Sequence, residues 1–204
     1  MAGSVKLVIG ASGFLGSHVT RQLAERGDRV RVMLRRNSST EAIADLDVER
    51  CYGDIFDDAA LRTAMEGVED LFYCVVDARA WLRDPTPLFR TNLEGLRHVL
   101  DVAVDAKLRR FVFTSTIATI GTRHDGKLAT EADAMNWAAS GGGYTQSRSA
   151  AEDLVLRYAA DRGLPAVAMC VANTYGPRDY APTPHGGLLA GDWGRGVIYR
   201  LTKR

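Results

Sequence analysis

The sequence lacks an excess of either charge. Its 204 residues include 26 lysines and arginines against 25 aspartates and glutamates, which gives a formal net charge of +1. A chain with this balance has no general electrostatic attraction for nucleic acid or for an anionic membrane surface. We therefore expect no nucleic acid partner, and we expect the function to depend on a specific site that binds a small-molecule substrate.

Cysteine is also scarce. The three cysteines, Cys51, Cys74 and Cys170, are odd in number, widely spaced, and each lies in an apolar run. This pattern argues against a disulfide framework and favours small core residues in a reducing compartment. The four histidines do not cluster at the spacing of metal ligands, so no metal site is expected.

Long hydrophobic runs are absent as well. No apolar stretch reaches the roughly 20 residues that a membrane-spanning helix needs. The chain begins MAGSVKLVIG, which leads directly into a strand pattern and does not resemble a signal peptide. The sequence therefore predicts a cytoplasmic protein without a membrane span, folded as a single domain over residues 1–204.

The sequence does contain a regular alternation of short apolar runs and longer segments with helical periodicity. Strands are predicted at residues 5–9, 29–34, 48–52, 69–75, 110–115 and 166–171, and helices at 14–26, 40–46, 57–65, 85–107 and 144–162. The glycine-rich run 140–143 predicts a mobile turn before the last helix. This order predicts an α/β fold of the Rossmann type, with a doubly wound parallel sheet flanked by helices.

A glycine-rich motif lies between the first predicted strand and the first predicted helix, where the sequence reads GASGFLG. Glycines at this turn allow the backbone to approach a pyrophosphate, and the helix N-terminus offers amide donors and a favourable dipole. The motif predicts a dinucleotide site, although a structural turn would have a similar sequence. The candidate cofactor-binding residues are Gly10, Ser12, Gly13, Phe14, Leu15 and Gly16.

The end of the second predicted strand indicates which dinucleotide binds. An acidic residue there would accept hydrogen bonds from a ribose diol, whereas a cation would pair with a 2′-phosphate. The sequence has Arg35 and Arg36 at this point, which favours NADP(H) with Arg35 as the main contact. NAD stays open, because both arginines could also be ordinary solvated residues at a strand end.

An acidic residue follows the third predicted strand. Asp54, with Ile55 after it, lies where a carboxylate could accept a hydrogen bond from an adenine amino group. Aspartate after glycine is equally common in ordinary loops, so both interpretations stay open. Ile55, and Val75 at the end of the fourth predicted strand, are further candidate cofactor contacts.

The last predicted helix opens with GYTQSRS, which places Tyr144 four residues before Arg148. A tyrosine one turn before a cation on a helix face is an arrangement that lowers the pKa of the phenol for proton transfer. The usual cation in that chemistry is lysine. Arg148 therefore either keeps a catalytic pair with Tyr144 or marks a site that has lost its activity.

Several motifs in order resemble one protein family. GASGFLG, the GDI at 53–55, TNLEG at 91–95, RFVFTSTIATIG at 110–121 and GYTQSRSAAE together resemble the extended short-chain dehydrogenases/reductases. DARAWLRDP and NTYGPRDYAPTPHG are similar to the dihydroflavonol-4-reductase-like branch, with its bacterial epimerase/dehydratases and hopanoid-associated sugar epimerases. The resemblance extends over about residues 4–190. It implies a Rossmann-type fold and NAD(P)-dependent chemistry.

The resemblance also implies roles for individual residues. Tyr144 would be the acid/base, Thr116 would hold the substrate oxygen with Ser115 as the fallback, and Asn92 would support the proton relay. Val171, Ala172 and Asn173 would lie beside the nicotinamide, and Trp81 and His185 are candidates for the substrate pocket.

The sequence departs from the family pattern in two ways. Arg148 keeps a positive charge and several donors, so it could still stabilise a tyrosinate and reach the nicotinamide ribose, and Tyr144 and Arg148 are candidate cofactor contacts as well. Its larger planar head cannot simply replace a compact ammonium group, so weakened proton transfer is expected. Relatives continue into a small C-terminal substrate region, of which residues 186–204 would be only the beginning. A largely missing lid would exclude water poorly and position substrate poorly.

These features support an NADP(H)-dependent oxidoreductase that moves hydride between nicotinamide and a secondary alcohol or ketone. The alternatives are a non-catalytic NADP-binding sensor or interaction module, and a sugar epimerase or dehydratase that uses transient oxidation. The family resemblance also raises a homodimer through the helices near residues 88–106 and 144–160, although amphipathic helices could equally cover the sheet.

Overall fold

The computed structural model describes residues 4–172, 174 and 176–180, together with two strands at 188–192 and 197–201. Six strands form one sheet in the order β3-β2-β1-β4-β5-β6. The strands are Val5–Ile9 (β1), Arg29–Leu34 (β2), Glu49–Tyr52 (β3), Val68–Tyr73 (β4), Arg110–Thr116 (β5) and Ala166–Val171 (β6). Every pair of neighbours in this sheet is parallel.

Helices connect these strands. They are Phe14–Glu25 (α1), Asp58–Met65 (α2), Thr86–Phe89 (α3), Leu96–Asp105 (α4) and Gly142–Arg162 (α5), with short 3₁₀ turns at Glu41–Ile43 and Ile117–Thr119. Strand order reverses between β1 and β4, as in the doubly wound arrangement. The predicted fold class is confirmed.

The core has two layers, one on each face of the sheet. Because successive strand residues point to opposite faces, Leu7 and Ile9 join one buried cluster and Val8 joins the other. The first cluster also receives apolar side chains from α2, α4 and α5, while α1 packs onto the second. This packing fixes α1 and α5 against the strands whose carboxyl ends carry the predicted site.

The long helix predicted at residues 85–107 is interrupted. A π-helical segment, Arg90–Gly95, lies between α3 and α4. The apolar stripe expected along this helix is nevertheless buried, with Leu88, Leu96, Val99 and Ala103 fully shielded from solvent. Periodicity predicted the buried face correctly, but it did not reveal the extra residue in the turn that contains Asn92.

The predicted start of α5 was wrong by two residues. The helix begins at Gly142, two residues into the glycine-rich run 140–143. Gly142 itself has φ +68°, in the left-handed region that favours glycine, so the chain turns at this residue as it enters the helix. Tyr144 consequently lies inside the first helical turn.

The cysteine prediction holds in part. All three cysteines are free, and Cys51 and Cys74 pack against the two core clusters. Cys170 lies in more polar surroundings, with its sulfur 3.8 Å from Glu152 Oε2. Burial raises the pKa of Cys74 to about 12, so this thiol stays protonated at neutral pH.

Strands Leu188–Asp192 (β7) and Val197–Leu201 (β8) pair antiparallel and account for the described part of the predicted C-terminal segment 186–204. Among the described residues, no helix combines the length and apolar character needed to cross a membrane. The same residues contain no group of three histidine, cysteine or acidic side chains placed to hold a metal ion.

Candidate functional site

A cavity of about 910 Å³ lies at the carboxyl ends of the parallel strands. This is where ligands bind in open α/β sheets, because the strand-to-helix loops diverge at the point where strand order reverses. Sixteen of the residues that sequence analysis singled out line this cavity: Gly10, Ser12, Gly13, Phe14, Leu15, Gly16, Arg35, Asp54, Ile55, Val75, Ser115, Thr116, Tyr144, Arg148, Val171 and Ala172.

The glycine motif forms a tight turn between β1 and α1. Gly10 has φ +96°, and a Cβ there would lie 2.8 Å from the Cys74 carbonyl carbon. A Cβ at Gly16 would lie 2.1 Å from the Gly10 carbonyl oxygen, so α1 could not approach the turn with any larger residue. Gly13 differs, because a Cβ there would meet only the Gly10 oxygen at 3.5 Å.

The N-terminus of α1 is available to an anion. No side chain caps it, and its first turn contains no acidic residue. The first amides of a helix have no partner within the helix, and the helix dipole adds a partial positive charge at this end. Phe14, Leu15 and Gly16 of this turn line the cavity, so their position fits a bound pyrophosphate.

The end of β2 contributes Arg35 and Ser38 to the cavity wall. Arg35 is exposed, and its guanidinium group forms no ion pair within the described part of the chain. Arg36 is exposed too but is not among the cavity-lining residues described. The arrangement therefore offers one unpaired cation, and a serine hydroxyl three residues later, to a ligand phosphate.

Asp54 fits both interpretations that the sequence left open. It lines the cavity, and its Oδ1 also accepts a hydrogen bond from the Phe56 amide at 3.1 Å. The carboxylate thus stabilises its own loop and still has a second oxygen. Ile55 lies beside it on the cavity wall.

Tyr144 and Arg148 reach the same cavity from the first two turns of α5. Tyr144 is half-buried, whereas Arg148 is only 1% exposed. The guanidinium carbon of Arg148 lies 4.7 Å from the centre of the Phe113 ring, and its Nη2 donates a hydrogen bond to the Thr114 carbonyl oxygen. The arginine side chain therefore stacks on the Phe113 ring of β5 and lines the cavity beyond it.

The Arg148 guanidinium is incompletely satisfied. Its Nε and Nη1 are buried without a hydrogen-bond partner, and the same is true of the Tyr73 hydroxyl at the end of β4. Burial lowers the pKa of Arg148, and the nearby Tyr144, Tyr73 and Glu152 oppose that change. Buried unpaired donors are costly, so the free donors of Arg148, which lines the cavity, are suited to a ligand or ordered water there.

The end of β5 places two hydroxyls side by side in the cavity wall. Thr116 is half-buried and its Oγ1 accepts a hydrogen bond from the Ala118 amide at 3.2 Å. Ser115 is only 6% exposed and its Oγ donates to Glu152 Oε2 of α5. Because the Ser115 hydroxyl is already engaged, Thr116 is the better placed of the two to contact a ligand.

Asn92 is fully buried and is not among the cavity-lining residues described. Its Oδ1 accepts from the Asp77 amide at 2.8 Å, and its Nδ2 donates to the Asp77 carbonyl and to Ser147 Oγ, each at 3.0 Å. The side chain therefore ties the loop after β4 to α5. Its location inside the π-helical segment fits the frequent occurrence of such segments at functional sites.

Three other candidates are not placed in the site. Trp81 is 48% exposed and is not among the described residues of the cavity wall. Asn173 and His185 lie outside the described residues.

Sequence analysis missed part of the wall. The loop after β4 contributes Val76, Asp77, Ala78 and Arg79, and Arg79 Nη2 lies 2.5 Å from Asp77 Oδ2. The loop contains the start of the DARAWLRDP motif, but sequence analysis assigned a site role only to Trp81 of that motif. The signal was topological, because β4 follows the strand-order reversal and its carboxyl end must border the cavity.

Comparisons with known proteins agree with this geometry. The sequence matches the model of the NAD dependent epimerase/dehydratase family over residues 6–191. The chain belongs to this family. Members of this class of proteins are NAD(P)-dependent epimerases, dehydratases or reductases.

Particular relatives and structures refine this placement. The chain is 34% identical to a Synechocystis sp. protein provisionally named dihydroflavonol 4-reductase, covering 89% of this chain and 52% of the relative. It is 35% identical to sterol demethylase protein B of Methylococcus capsulatus, covering 87% and 53% respectively. The chain thus spans about half the length of these curated relatives.

Solved structures show the same fold. The crystal structure of gox2253 has a TM-score of 0.83 and 38% identity, covering 90% of this chain and 56% of that one. UDP-glucose 4-epimerase from Brucella ovis, solved in complex with NAD, has a TM-score of 0.75 and 27% identity, covering 84% and 52%. The Rossmann-type architecture is therefore shared with epimerases of this family.

Proposed function

We propose that this chain is the nucleotide-binding and proton-transfer part of an NADP(H)-dependent oxidoreductase. The reaction would interconvert a ketone and a secondary alcohol. The single observation that carries the proposal is that Tyr144, Arg148 and Thr116 line the same cavity as the glycine turn and Arg35. A proton donor, a cation and a hydroxyl in the cavity that the glycine turn borders are the groups that such a reaction needs.

The cofactor would be held by backbone and charge. The uncapped first turn of α1 would bind the pyrophosphate, and the exposed guanidinium of Arg35 would pair with a 2′-phosphate. Asp54 would accept from the adenine amino group, and Val75 and Val171 would pack against the rings. When bound, the nicotinamide supplies or accepts the hydride.

The chain's own residues would handle the proton. In the reducing direction, Tyr144 donates its hydroxyl proton to the carbonyl oxygen as hydride reaches the carbonyl carbon. The products are a secondary alcohol and a phenolate, which water reprotonates. Thr116 donates a hydrogen bond to the same oxygen and keeps it directed toward Tyr144.

Arg148 would support this transfer less well than lysine. Its charge stabilises the Tyr144 phenolate, but one of its donors is engaged by the Thr114 carbonyl and its plane rests on Phe113. A guanidinium fixed in this way cannot turn its donors toward the reacting oxygen as an ammonium group can. Slow turnover is therefore expected, and this same observation favours a non-catalytic NADP-binding sensor as the second candidate.

A turnover assay distinguishes these candidates. We would measure NADPH oxidation by the wild-type protein and by Tyr144→Phe, with ketones that include a dihydroflavonol. An oxidoreductase predicts that the substitution lowers kcat by about a hundredfold or more while NADPH binding is retained. NADPH binding without measurable turnover in the wild type, or equal turnover in both proteins, would contradict the enzymatic proposal and favour the sensor.

A further inference from the structure

Helix α5 contacts the end of β5 through two successive turns. Arg148 donates to the Thr114 carbonyl oxygen, and Glu152, one turn later, accepts from the Ser115 hydroxyl. Tyr144 precedes both on the same helix. The distance between Tyr144 and the end of β5 therefore depends on how these two side chains hold the strand.

Glu152 binds the strand end on both sides of Thr116. Its Oε2 accepts a hydrogen bond from Ser115 Oγ and lies 2.9 Å from Thr119 Oγ1. Thr119 Oγ1 also lies 2.7 Å from the Thr116 carbonyl oxygen, so its single proton is shared between these two acceptors. One carboxylate oxygen thus links the residue before Thr116 to the 3₁₀ turn that follows it.

The Ser115 hydroxyl depends on this carboxylate, whereas the Thr119 hydroxyl also has the Thr116 carbonyl oxygen as an acceptor. Ser115 is 6% exposed and Thr119 is 8% exposed, so water cannot easily replace the carboxylate. Removing the carboxylate would leave the nearly buried Ser115 hydroxyl without its acceptor and would break the link between Thr119 and α5. The backbone of residues 115–119 would then lose its fixed position relative to α5.

We propose that Glu152 is a positioning residue for catalysis, which sets the Thr116 hydroxyl relative to Tyr144 by holding Ser115 and Thr119. The proposal rests on the oxidoreductase function described above. Glu152 does not contact substrate in this account. Its effect passes through the strand end, so it acts on the geometry of the reacting oxygen and not on nucleotide binding.

The test compares Glu152→Ala with Glu152→Gln. The glutamine keeps one carbonyl oxygen that can accept from both hydroxyls, whereas alanine keeps none. Asp153→Ala is the matched control, because Asp153 is the next residue of α5 and is exposed to solvent. For each protein we would measure NADPH affinity by fluorescence, kcat and KM for a ketone, and amide hydrogen exchange of the peptide containing residues 113–121.

We expect Glu152→Ala to lower kcat by about tenfold to a hundredfold, the scale of a displacement near 1 Å, with NADPH affinity unchanged. Amide exchange at residues 113–121 should accelerate in Glu152→Ala alone. Glu152→Gln should restore both properties to within about threefold of wild type. Asp153→Ala should match wild type throughout.

Several outcomes would overturn the proposal. Unchanged kcat and unchanged exchange in Glu152→Ala would show that the carboxylate does not hold Thr116. Glutamine behaving like alanine would show that hydrogen-bond acceptance is not the mechanism. A wild-type protein without turnover would refute the oxidoreductase function separately, and hydrogen exchange would still decide whether Glu152 fixes residues 115–119.

Discussion

Buried charges are paired at one end of the parallel sheet and incompletely paired at the other. At the amino end, Lys6, Asp70 and Arg109 form a cluster in which charges of both signs meet at hydrogen-bond distance. At the carboxyl end, Arg148 is buried with one hydrogen bond and no carboxylate partner within the described residues. The first arrangement stabilises the fold, while the second is suited to a ligand.

The amino-end cluster is well satisfied. Lys6 Nζ donates to Asp70 Oδ2 at 2.6 Å, and Arg109 donates to both Asp70 oxygens, from Nε at 3.1 Å and from Nη2 at 2.6 Å. Glu69 adds a weaker contact, 3.9 Å from Lys6. A buried carboxylate that accepts three charge-assisted hydrogen bonds has its desolvation cost largely offset.

The carboxyl end of the sheet contains buried donors without hydrogen-bond partners. They are Nε and Nη1 of Arg148, which lines the cavity, and the hydroxyl of Tyr73, which is not among the described residues of the cavity wall. Residues held in this state are characteristic of functional sites, because ligand binding can supply the missing partners. The buried charges are thus paired at the amino end of the sheet, whereas the buried cation at the carboxyl end keeps unpaired donors.

The sharpest way to challenge this comparison is to remove the central carboxylate of the amino-end cluster. Asp70→Asn should lower the free energy of unfolding by about 3 kcal/mol, because it leaves the buried Lys6 ammonium without its main partner. Urea denaturation at neutral pH would measure the change. The control is Asp45→Asn, which removes an exposed carboxylate paired with Arg21 and should cost much less.

A loss in Asp70→Asn no larger than that in Asp45→Asn would contradict the account. It would mean that the amino-end cluster contributes no more than a surface ion pair.

The same cluster should make stability depend on pH. Burial alone would raise the pKa of Asp70, but hydrogen bonds from Lys6 and Arg109 outweigh it and hold the pKa below the ordinary value of 3.8. A carboxyl with a lowered folded-state pKa contributes stability above the unfolded value and loses it as pH falls through the folded value. The stability difference between wild type and Asp70→Asn should therefore be constant near neutrality and shrink below pH 3.8.

Urea midpoints of both proteins across this acidic range would measure that dependence. A difference that persists unchanged well below the lowered pKa would show that Asp70 does not act through its charge.

Removing the buried charge at the carboxyl end should not lower the free energy of unfolding, in contrast to Asp70→Asn. Arg148→Met replaces a buried guanidinium that has two unpaired donors with an apolar side chain of similar length. We expect the free energy of unfolding to be retained or to rise by up to about 2 kcal/mol, since replacing poorly compensated buried charge by apolar groups is often stabilising. Urea denaturation alongside Asp70→Asn gives a direct contrast, and a comparable loss in both variants would erase the distinction between the two ends.

The smallest expected effect concerns turnover. Arg148→Lys should raise kcat for ketone reduction by about tenfold, which corresponds to about 1.4 kcal/mol, because a flexible ammonium can approach both Tyr144 and the ligand. NADPH affinity should change little, since the glycine turn and Arg35 are untouched. Steady-state kinetics measure this, and a decrease in kcat would show that the arginine is adapted to its position.

Much of this organisation could be predicted from the sequence, because it depends on local patterns. Apolar runs and helical spacing located all six strands of the main sheet, and GASGFLG located the turn at Gly10. Arg35 was identified from its position at a strand end. In each case the physical determinant, a periodicity or a backbone requirement, lies within a few consecutive residues.

The remainder depends on contacts between distant segments. The identity of Arg148 is evident in the sequence, but its stacking on Phe113 and its unpaired donors depend on how α5 packs against β5. Glu152 lies 37 residues from Ser115, so no local pattern could connect them. The π-helical turn at Asn92 also went unpredicted, since one extra residue hardly disturbs the apolar stripe.

The most direct test of the carboxyl-end site is a fluorescence titration with NADPH and with NADH. Wild type, Arg35→Ala and the control Arg36→Ala would be compared, since both arginines are exposed and only Arg35 lines the described cavity. The account predicts tighter binding of NADPH than NADH, a preference lost in Arg35→Ala and kept in Arg36→Ala. Failure of wild type to bind either nucleotide, or an equal preference in all three proteins, would contradict it.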